Sequence, residues 1–239
     1  HPNPPLYNEL CLYCSWFCPF AQRAWIALLE KAVNFQYVEI DPYNKSAEFL
    51  AKNPRGLIPV IINNGQCVYE SQICIEYADE EWKGQGNPLM PPDPYNRAVA
   101  RIWADFITKK IVPPFYQLLM RQTKDEQEEA RKTLLDNLET LSKEITGPYF
   151  MGSAFGMVDA MLAPFTLRFA MMKKYRNFEL PKGQSFSNLK NWMEVVHNRE
   201  SVKTTMADPD RLINKYQRYA DGSAKSEVAD AIRKGKTLP

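Results

Sequence analysis

The alternation of apolar and polar positions divides the chain into two parts of different character. Up to about residue 83, short apolar runs alternate with segments of helical spacing, typical of strands and helices in turn. The pattern predicts strands at 9–13, 35–40, 60–63 and 66–69, and helices at 19–31, 46–52 and 71–82. Asn64 and Gly65 between the last two runs are a strong hairpin signal. The order βαβ–α–ββα predicts a mixed sheet, because a hairpin is antiparallel.

After a linker rich in Gly and Pro at 84–94, strand patterns vanish. The rest predicts helices at 95–107, 124–145, 159–175, 189–198, 208–219 and 226–233. Thr123 and Glu126 have the spacing of a capping box, and Pro164 predicts a kink in the almost wholly apolar central helix. We therefore expect an α/β domain at 1–83, the linker 84–94, and an all-helical domain at 95–239 with a charged tail.

Composition and charge exclude several classes of function. Of the 239 residues 45% are hydrophobic, as in ordinary globular proteins, and the net charge of +2 is unlike a nucleic-acid-binding protein. No apolar run reaches the ~18–20 residues of a membrane span, and no signal-peptide pattern is seen. Five irregularly spaced cysteines predict no disulfide framework and favour the cytoplasm. With only His1 and His197 as histidines, we expect no metal site.

Cys18 is the most informative residue of the chain. It follows a predicted strand and directly precedes Pro19, a residue favoured at the first position of a helix. Cys18 is thus predicted to be a helix N-cap, where free N–H groups and the helix dipole lower a thiol pKa below about 7.5. Such a thiolate is a nucleophile. Cys14 lies four positions earlier, which is not dithiol-loop spacing; it is either a buried strand residue or a resolving thiol.

Two further segments are candidates for the same site. Ile58-Pro59 enters a predicted strand after a loop, and we expect a cis peptide bond that leaves the Ile58 backbone free to pair with an extended peptide. Ser71 is predicted to cap a helix whose amides would bind a carboxylate, and Glu70 to accept an ammonium group. Together with Cys18 they would bind a small zwitterionic peptide.

Three stretches carry a resemblance to a known family. They are the segments FCPFAQR at 17–23, KNPRGLIPV at 52–60 and YESQICIEY at 69–77. The linker LMPPDP at 89–94 and the helix start at Asp159 match as well. Over about 9–219 the chain resembles an omega-class glutathione transferase, with the fungal omega-like and plant lambda types as close relatives. The resemblance implies a thioredoxin-like first domain with a mixed four-stranded sheet, and an all-α second domain.

The resemblance also assigns roles to residues. Cys18 would be the catalytic cysteine, Ile58 would pair with the cysteinyl unit of glutathione, and Lys45 would meet its glycine carboxylate. The full predicted glutathione-binding set is Phe20, Lys45, Ile58, Pro59, Glu70 and Ser71. Gly156 stands where the family usually has a Ser or Thr N-cap, which costs only a few tenths of a kcal/mol.

A cysteine at position 18, where other family members have Tyr or Ser, implies thiol–disulfide exchange instead of conjugation. We expect a glutathione-dependent thioltransferase that acts through a Cys18–glutathione mixed disulfide, with glutathionylated molecules or dehydroascorbate as substrates. Glutathione would be the co-substrate, without a metal, and the protein a homodimer that binds neither nucleic acid nor membrane.

Three alternatives stay open. A weakly catalytic or non-catalytic binding protein would hold flat hydrophobic ligands against Trp16, Phe115, Tyr116, Met120, Phe165 and Phe169, although each is three times more often a core residue. A chloride-intracellular-channel-like protein would share the Cys-Pro-Phe motif, but charges on helix 19–31 make membrane insertion costly. A docking module of a larger assembly is the weakest alternative.

Overall fold

A computed structural model describes residues 10–239. Its first part is built on a four-stranded mixed sheet in the order β2-β1-β3-β4. The strands are β1 (Cys11–Cys14), β2 (Gln36–Glu39), β3 (Val60–Asn63) and β4 (Gln66–Tyr69). β1 runs parallel to β2 and antiparallel to β3, and β3 and β4 form the predicted hairpin around Asn64 and Gly65. The mixed sheet is thus confirmed, while the predicted strand start at Glu9, like His1, lies outside the described residues.

Three helices accompany the sheet: α1 (Pro19–Glu30), α2 (Ala47–Lys52) and α3 (Ser71–Glu81). Helix α1 begins as predicted, with Cys18 as its N-cap and Pro19 at its first position. It is buried along most of its length because it packs against α3 on one side and against the helical part on the other. This position makes α1 the link between the two parts of the molecule.

The second part is helical throughout its described length. Its helices are α4 (Pro94–Phe106), α5 (Val112–Met120), α6 (Lys124–Glu144), α7 (Met157–Thr166), α8 (Phe169–Arg176), α9 (Ser187–His197), α10 (Glu200–Thr205), α11 (Pro209–Ala220) and α12 (Glu227–Arg233). A π-helical stretch, Ile107–Ile111, joins α4 to α5. Thr123 caps α6, since the Glu126 N–H donates to Thr123 Oγ1 at 3.3 Å, but the Glu126 carboxylate accepts from the Thr123 hydroxyl at 2.7 Å, so only half of the predicted capping box is seen. The sheet with its adjoining helical part confirms the predicted fold class.

The predicted central helix at 159–175 is two helices, and this correction has a local cause. Around Arg168 the backbone tightens, because its N–H donates to the Phe165 carbonyl instead of the Pro164 carbonyl. The Pro164 carbonyl accepts instead from the Arg168 guanidinium, at 2.5 Å. The helix therefore breaks where a side chain replaces the backbone donor. The short α10 and the π-helical stretch have no signal in the apolar pattern.

An ion pair fastens α1 to the helical part. Glu30, near the end of α1 and buried, accepts from Arg199 Nε and Nη2 at 2.6 and 2.7 Å, and also from the Ser201 hydroxyl. The Arg199 guanidinium lies over the Phe155 ring, 4.6 Å from its centroid. Because the partners stand on α1 and at the start of α10, this bidentate pair fixes the two parts relative to each other. Among residues 10–239, no helix has the length and apolarity to span a membrane.

Candidate functional site

Cys18 stands where the sheet part meets the helical part, half-buried at the start of α1. Its backbone is extended, and its Sγ accepts from the Ala21 N–H at 3.5 Å. The prediction of a cysteine N-cap is therefore confirmed. A sulfur at this position faces unpaired backbone N–H groups and remains reachable from solvent, as a reactive thiol requires.

The expectation of a lowered thiol pKa is wrong. Burial raises the pKa of Cys18, while the N–H groups of Ala21 and Phe20 and the charges of Arg168 and Arg23 act in the opposite direction. The helix start thus offsets only part of the desolvation cost. A substantial thiolate fraction requires a pH above neutrality.

Cys14, the other cysteine of the motif around Cys18, is not placed to act as a resolving thiol. Cys14 is fully buried in β1, and its Sγ lies 3.8 Å from the Ser15 carbonyl. Burial raises its pKa strongly. These properties are those of a core residue, so the reading as a strand-end cysteine fits best. Cys11 and Cys74 are buried too, whereas Cys67 is half-buried.

Two buried arginines near Cys18 escaped the sequence analysis. Arg23 on α1 donates to Ser71 Oγ at 3.1 Å and to the Met161 carbonyl at 3.0 Å, and its Nη2 has no partner. Arg168 donates to the Phe17 carbonyl at 2.8 Å, and its Nε has no partner. Neither guanidinium forms an ion pair with a described carboxylate. Burial lowers the pKa of Arg23 to about 9.

This arrangement has an electrostatic consequence. Buried cations without an acidic partner are costly, and any negative charge that forms beside them is stabilised. The Tyr116 and Tyr216 hydroxyls nearby stay neutral, since burial raises both pKa values. The charges of Arg168 and Arg23 favour the Cys18 anion, although burial outweighs them. In the sequence, Arg168 is the single charge between Asp159 and Lys173, which was the one signal of a buried cation.

The loop before β3 and the start of α3 lie together, as predicted. The Ile58–Pro59 peptide bond is cis, and the Asn53 amide donates to the Leu57 carbonyl at 2.8 Å, which fixes the loop. Glu70 is exposed and forms an ion pair with Arg55. Ser71 is the first residue of α3 and not its cap; Glu70 occupies the N-cap position, with φ at 72°.

A cavity of about 60 Å³ lies between these segments. Five of the six predicted glutathione-binding residues line it, together with four others from the neighbouring segments and the C-terminal stretch. Its lining is Phe20, Leu57, Ile58, Pro59, Tyr69, Glu70, Ser71, Val228 and Pro239. The sixth predicted residue, Lys45, is held by an ion pair with Glu227. Cys18 lies beside this cavity, two residues before Phe20, and does not line it.

The six residues predicted to face a hydrophobic substrate do not line this cavity. Phe115, Tyr116 and Phe165 are buried in one aromatic cluster with Phe20, at ring distances of 5.4–6.4 Å. Met120 is buried as well. These four are core residues, because burial of apolar rings against each other is what packs the helical part.

Trp16 and Phe169 are only half-buried, and they lie apart. The Arg211 guanidinium covers the Trp16 ring at 3.9 Å, and Phe169 packs edge-on against Phe178. A larger cavity of about 410 Å³ opens between the linker around Asn87–Asp93 and the start of α7. None of the predicted site residues lines this larger cavity, so the volume of a cavity does not by itself identify the catalytic site of this protein.

Comparison with known proteins identifies the family. Residues 17–81 match the model of the glutathione S-transferase N-terminal domain, and residues 124–194 match that of the C-terminal domain. Glutathione S-transferase U19 of Arabidopsis thaliana is 42% identical over 212 residues, which covers 86% of this chain and 93% of the relative. Glutathione S-transferase U24 of the same plant is 39% identical, with the same coverage.

Solved structures agree on the fold. The Tau class glutathione S-transferase MiGSTU from mango, Mangifera indica, superimposes with a TM-score of 0.82 at 27% identity, covering 89% of this chain and 99% of its own. Glutathione transferase Omega 3C from Trametes versicolor also reaches 0.82, at 37% identity and 90% and 91% coverage. Rice GST1 (OsGSTU1), solved in complex with glutathione, reaches 0.80 at 30% identity, with 89% and 96% coverage.

These findings correct the predicted class. The curated relatives U19, U26 and U24 are all U-type plant transferases, and the mango and rice structures are of the same type. The omega or lambda assignment is therefore wrong: the segments that carried the resemblance are compatible with a glutathione transferase of another class. What both the family models and the relatives establish is broader: the chain belongs to the glutathione S-transferase family.

Proposed function

We propose that this transferase carries out glutathione-dependent thiol transfer through Cys18. The observation that carries the proposal is the position of the sulfur: half-exposed, at the N-terminus of α1, and bonded to the Ala21 N–H. The cleft formed by Phe20, the 57–59 loop and Glu70–Ser71 adjoins it. A nucleophilic sulfur close to backbone and charged groups that could pair with a peptide suits exchange with a glutathionyl disulfide.

The reaction has two balanced steps. The Cys18 thiolate attacks the glutathionyl sulfur of a mixed disulfide, so that a new S–S bond forms and the substrate leaves as a thiolate. A second glutathione thiolate then attacks the Cys18–glutathione disulfide, which releases oxidised glutathione and restores Cys18. For dehydroascorbate, two glutathiones would supply the two electrons, yielding ascorbate and oxidised glutathione.

The surrounding residues would have distinct tasks. Because burial raises the Cys18 pKa, the Ala21 N–H and the charges of Arg23 and Arg168 would stabilise the thiolate that forms. Glu70 would accept the ammonium group of the γ-glutamyl unit, and the start of α3 at Ser71 its carboxylate. We expect the exchange rate to rise as the pH rises above neutrality, since the thiolate is the attacking species.

The test replaces Cys18 by serine and uses Cys67→Ser as the matched control. Cys67 is the other half-buried cysteine and lies on β4. We expect C18S to lose deglutathionylation of a small glutathionylated disulfide by at least about 100-fold, and C67S to retain it. Unchanged activity of C18S would refute the proposal.

A second candidate function is conjugation of glutathione to electrophiles, which the U-type relatives favour. In that reaction the glutathione sulfur is the nucleophile, and residue 18 stabilises its thiolate. The same C18S variant separates the candidates when it is assayed with an aromatic chloride. Conjugation that persists or increases in C18S, with no thiol transfer in the wild type, would favour this second function.

We also propose that the protein works as a homodimer. Ile73 on α3 and Tyr95 and Ile102 on α4 are apolar and 51–76% exposed. The two helices are neighbours, since Arg101 bonds Glu76 between them at 2.7 Å. An exposed apolar face on adjacent helices suits contact with a second copy. The cytoplasmic location, the domain limits and the site residues carried over from the family stay predictions.

A further inference from the structure

Residues 221–239, here named the strap, fold back over the first part of the chain. The strap contains α12, whose N-cap Ser226 accepts a bond from the Tyr219 hydroxyl at 3.0 Å. The Arg233 guanidinium donates to the Ala224 carbonyl at 2.7 Å, which closes the strap on itself. Two apolar side chains of the strap, Ala229 and Ile232, are buried. The strap is therefore packed in place by both apolar and polar contacts.

The strap contacts the proposed glutathione site at two points. Glu227, the first residue of α12, forms an ion pair with Lys45. The next residue, Val228, lines the cavity beside Ser71, and so does Pro239. Through these contacts the strap supplies part of the wall of the site.

The ion pair engages Lys45, the cation that the family resemblance assigns to the glycine carboxylate of glutathione. Lys45 lies against the 53–59 loop. The Lys45 Nζ is so close to Gly56 that a Cβ at this glycine would lie 3.3 Å from it. The Lys45 side chain is 15% exposed, and the Glu227 side chain 45%. An anion that approaches Lys45 from the cleft therefore meets a cation that already has a carboxylate partner.

The size of the cavity leads to the same conclusion. Its volume of about 60 Å³ is well below the ~300 Å³ at which pockets begin to hold small ligands. Val228 and Pro239 supply the part of its lining that comes from the strap. A tripeptide fits only when the strap moves away from the cavity.

We propose that Glu227 is a specificity-determining residue of the site: it competes with the glycine carboxylate of glutathione for Lys45, and the strap moves outward when the tripeptide binds. This inference rests on the proposed function. It predicts that affinity for glutathione is limited by an internal carboxylate, and that ligands without a carboxylate at that end escape the competition.

The experiment measures binding of glutathione and of its glycyl monoethyl ester by calorimetry. Glu227→Gln keeps the shape of the side chain and removes its charge. Glu179→Gln is the matched control, because Glu179 is an exposed carboxylate paired with Lys173 away from the strap. We expect E227Q to bind glutathione about 2–5-fold more tightly, in the range of one partly exposed ion pair. The ester should bind E227Q and wild type equally, and E179Q should match wild type with both ligands.

A second variant tests whether Lys45 transmits the effect. In the Lys45→Gln background, E227Q should no longer change the affinity for glutathione. Equal tightening of glutathione and ester by E227Q would mean that the strap was merely loosened, and would overturn the inference. So would unchanged glutathione affinity in E227Q when the wild type binds glutathione. Failure of every variant, wild type included, to bind glutathione would instead overturn the proposed function.

Discussion

Asp159, the third residue of α7, is a buried carboxylate with three donors. Its Oδ1 accepts from the Phe150 N–H at 2.8 Å and from Trp192 Nε1 at 2.6 Å, and its Oδ2 from the Gly156 N–H at 2.8 Å. One side chain thus caps α7 and ties it to α9. Since Gly156 has no side chain to cap the helix, the carboxylate at 159 takes over this task.

Asp159→Ala removes the acceptor of all three donors. Each buried donor left unpaired costs about 1–3 kcal/mol. Part of this loss is offset, because burial raises the pKa of Asp159 to about 6 and the variant no longer buries this charge. We therefore expect the free energy of unfolding at pH 7 to fall by about 3 kcal/mol, and Tm by roughly 6–12 °C.

Asparagine at 159 separates the contribution of the hydrogen bonds from that of the buried charge. Its carbonyl oxygen replaces Oδ1 and keeps the bonds from Phe150 and Trp192, so D159N should lie within about 1–2 kcal/mol of the wild type. An aspartate in the unfolded chain titrates near ~3.9, below the folded value. The folded state therefore binds the proton more readily, and Asp159 by itself adds up to about 3 kcal/mol to the stability as the pH falls from 6 towards 4. D159N lacks this contribution.

The assay is chemical unfolding of wild type, D159A and D159N, followed by tryptophan fluorescence at pH 7 and pH 5. The deficit of D159A should be larger at pH 5 than at pH 7. A D159A variant within 1 kcal/mol of wild type at both pH values would refute the reasoning, as would equal losses in D159N and D159A.

Three further predictions concern separate features. Arg168→Met removes a positive charge near Cys18, so alkylation of Cys18 by iodoacetamide should require a higher pH, with Arg168→Lys intermediate; identical pH profiles would contradict this. Burial lowers the pKa of His197 to about 4, below the ~6.5 of an unfolded histidine. His197 should therefore contribute a loss of up to about 3 kcal/mol of stability as the pH falls from 6.5 to 4, a contribution that His197→Gln lacks; an equal change of stability with pH in the two proteins, measured by unfolding, would count against it. Ile102→Glu should shift a dimer to monomer in sedimentation, and an unshifted dimer would argue for another interface.

The sheet part could be predicted almost to the residue, because its signals are local. Pro19 marks the start of α1, and Asn64-Gly65 marks the hairpin, independently of what packs against them. The helical part follows its apolar spacing where helices are long, as in α6, which ends at Glu144, one residue before the predicted end. It departs at Arg168, where a side chain from the same helix replaces a backbone bond.

The site was only partly predictable, since its electrostatics are non-local. The motif around Cys18 predicts a helix N-cap, but the burial that raises the thiol pKa comes from helices distant in sequence. Likewise, Lys45 and Glu227 are 182 positions apart, and no pattern in either segment indicates that they meet. The omega resemblance identified the family but not the class, since the curated relatives are U-type transferases.

The most direct test of the central claim is the intact mass of the protein after incubation with oxidised glutathione, followed by peptide mapping. The account predicts one glutathionyl adduct, on Cys18, which forms faster as the pH rises and is removed by reduced glutathione. No adduct, or one confined to the half-buried Cys67, would contradict it.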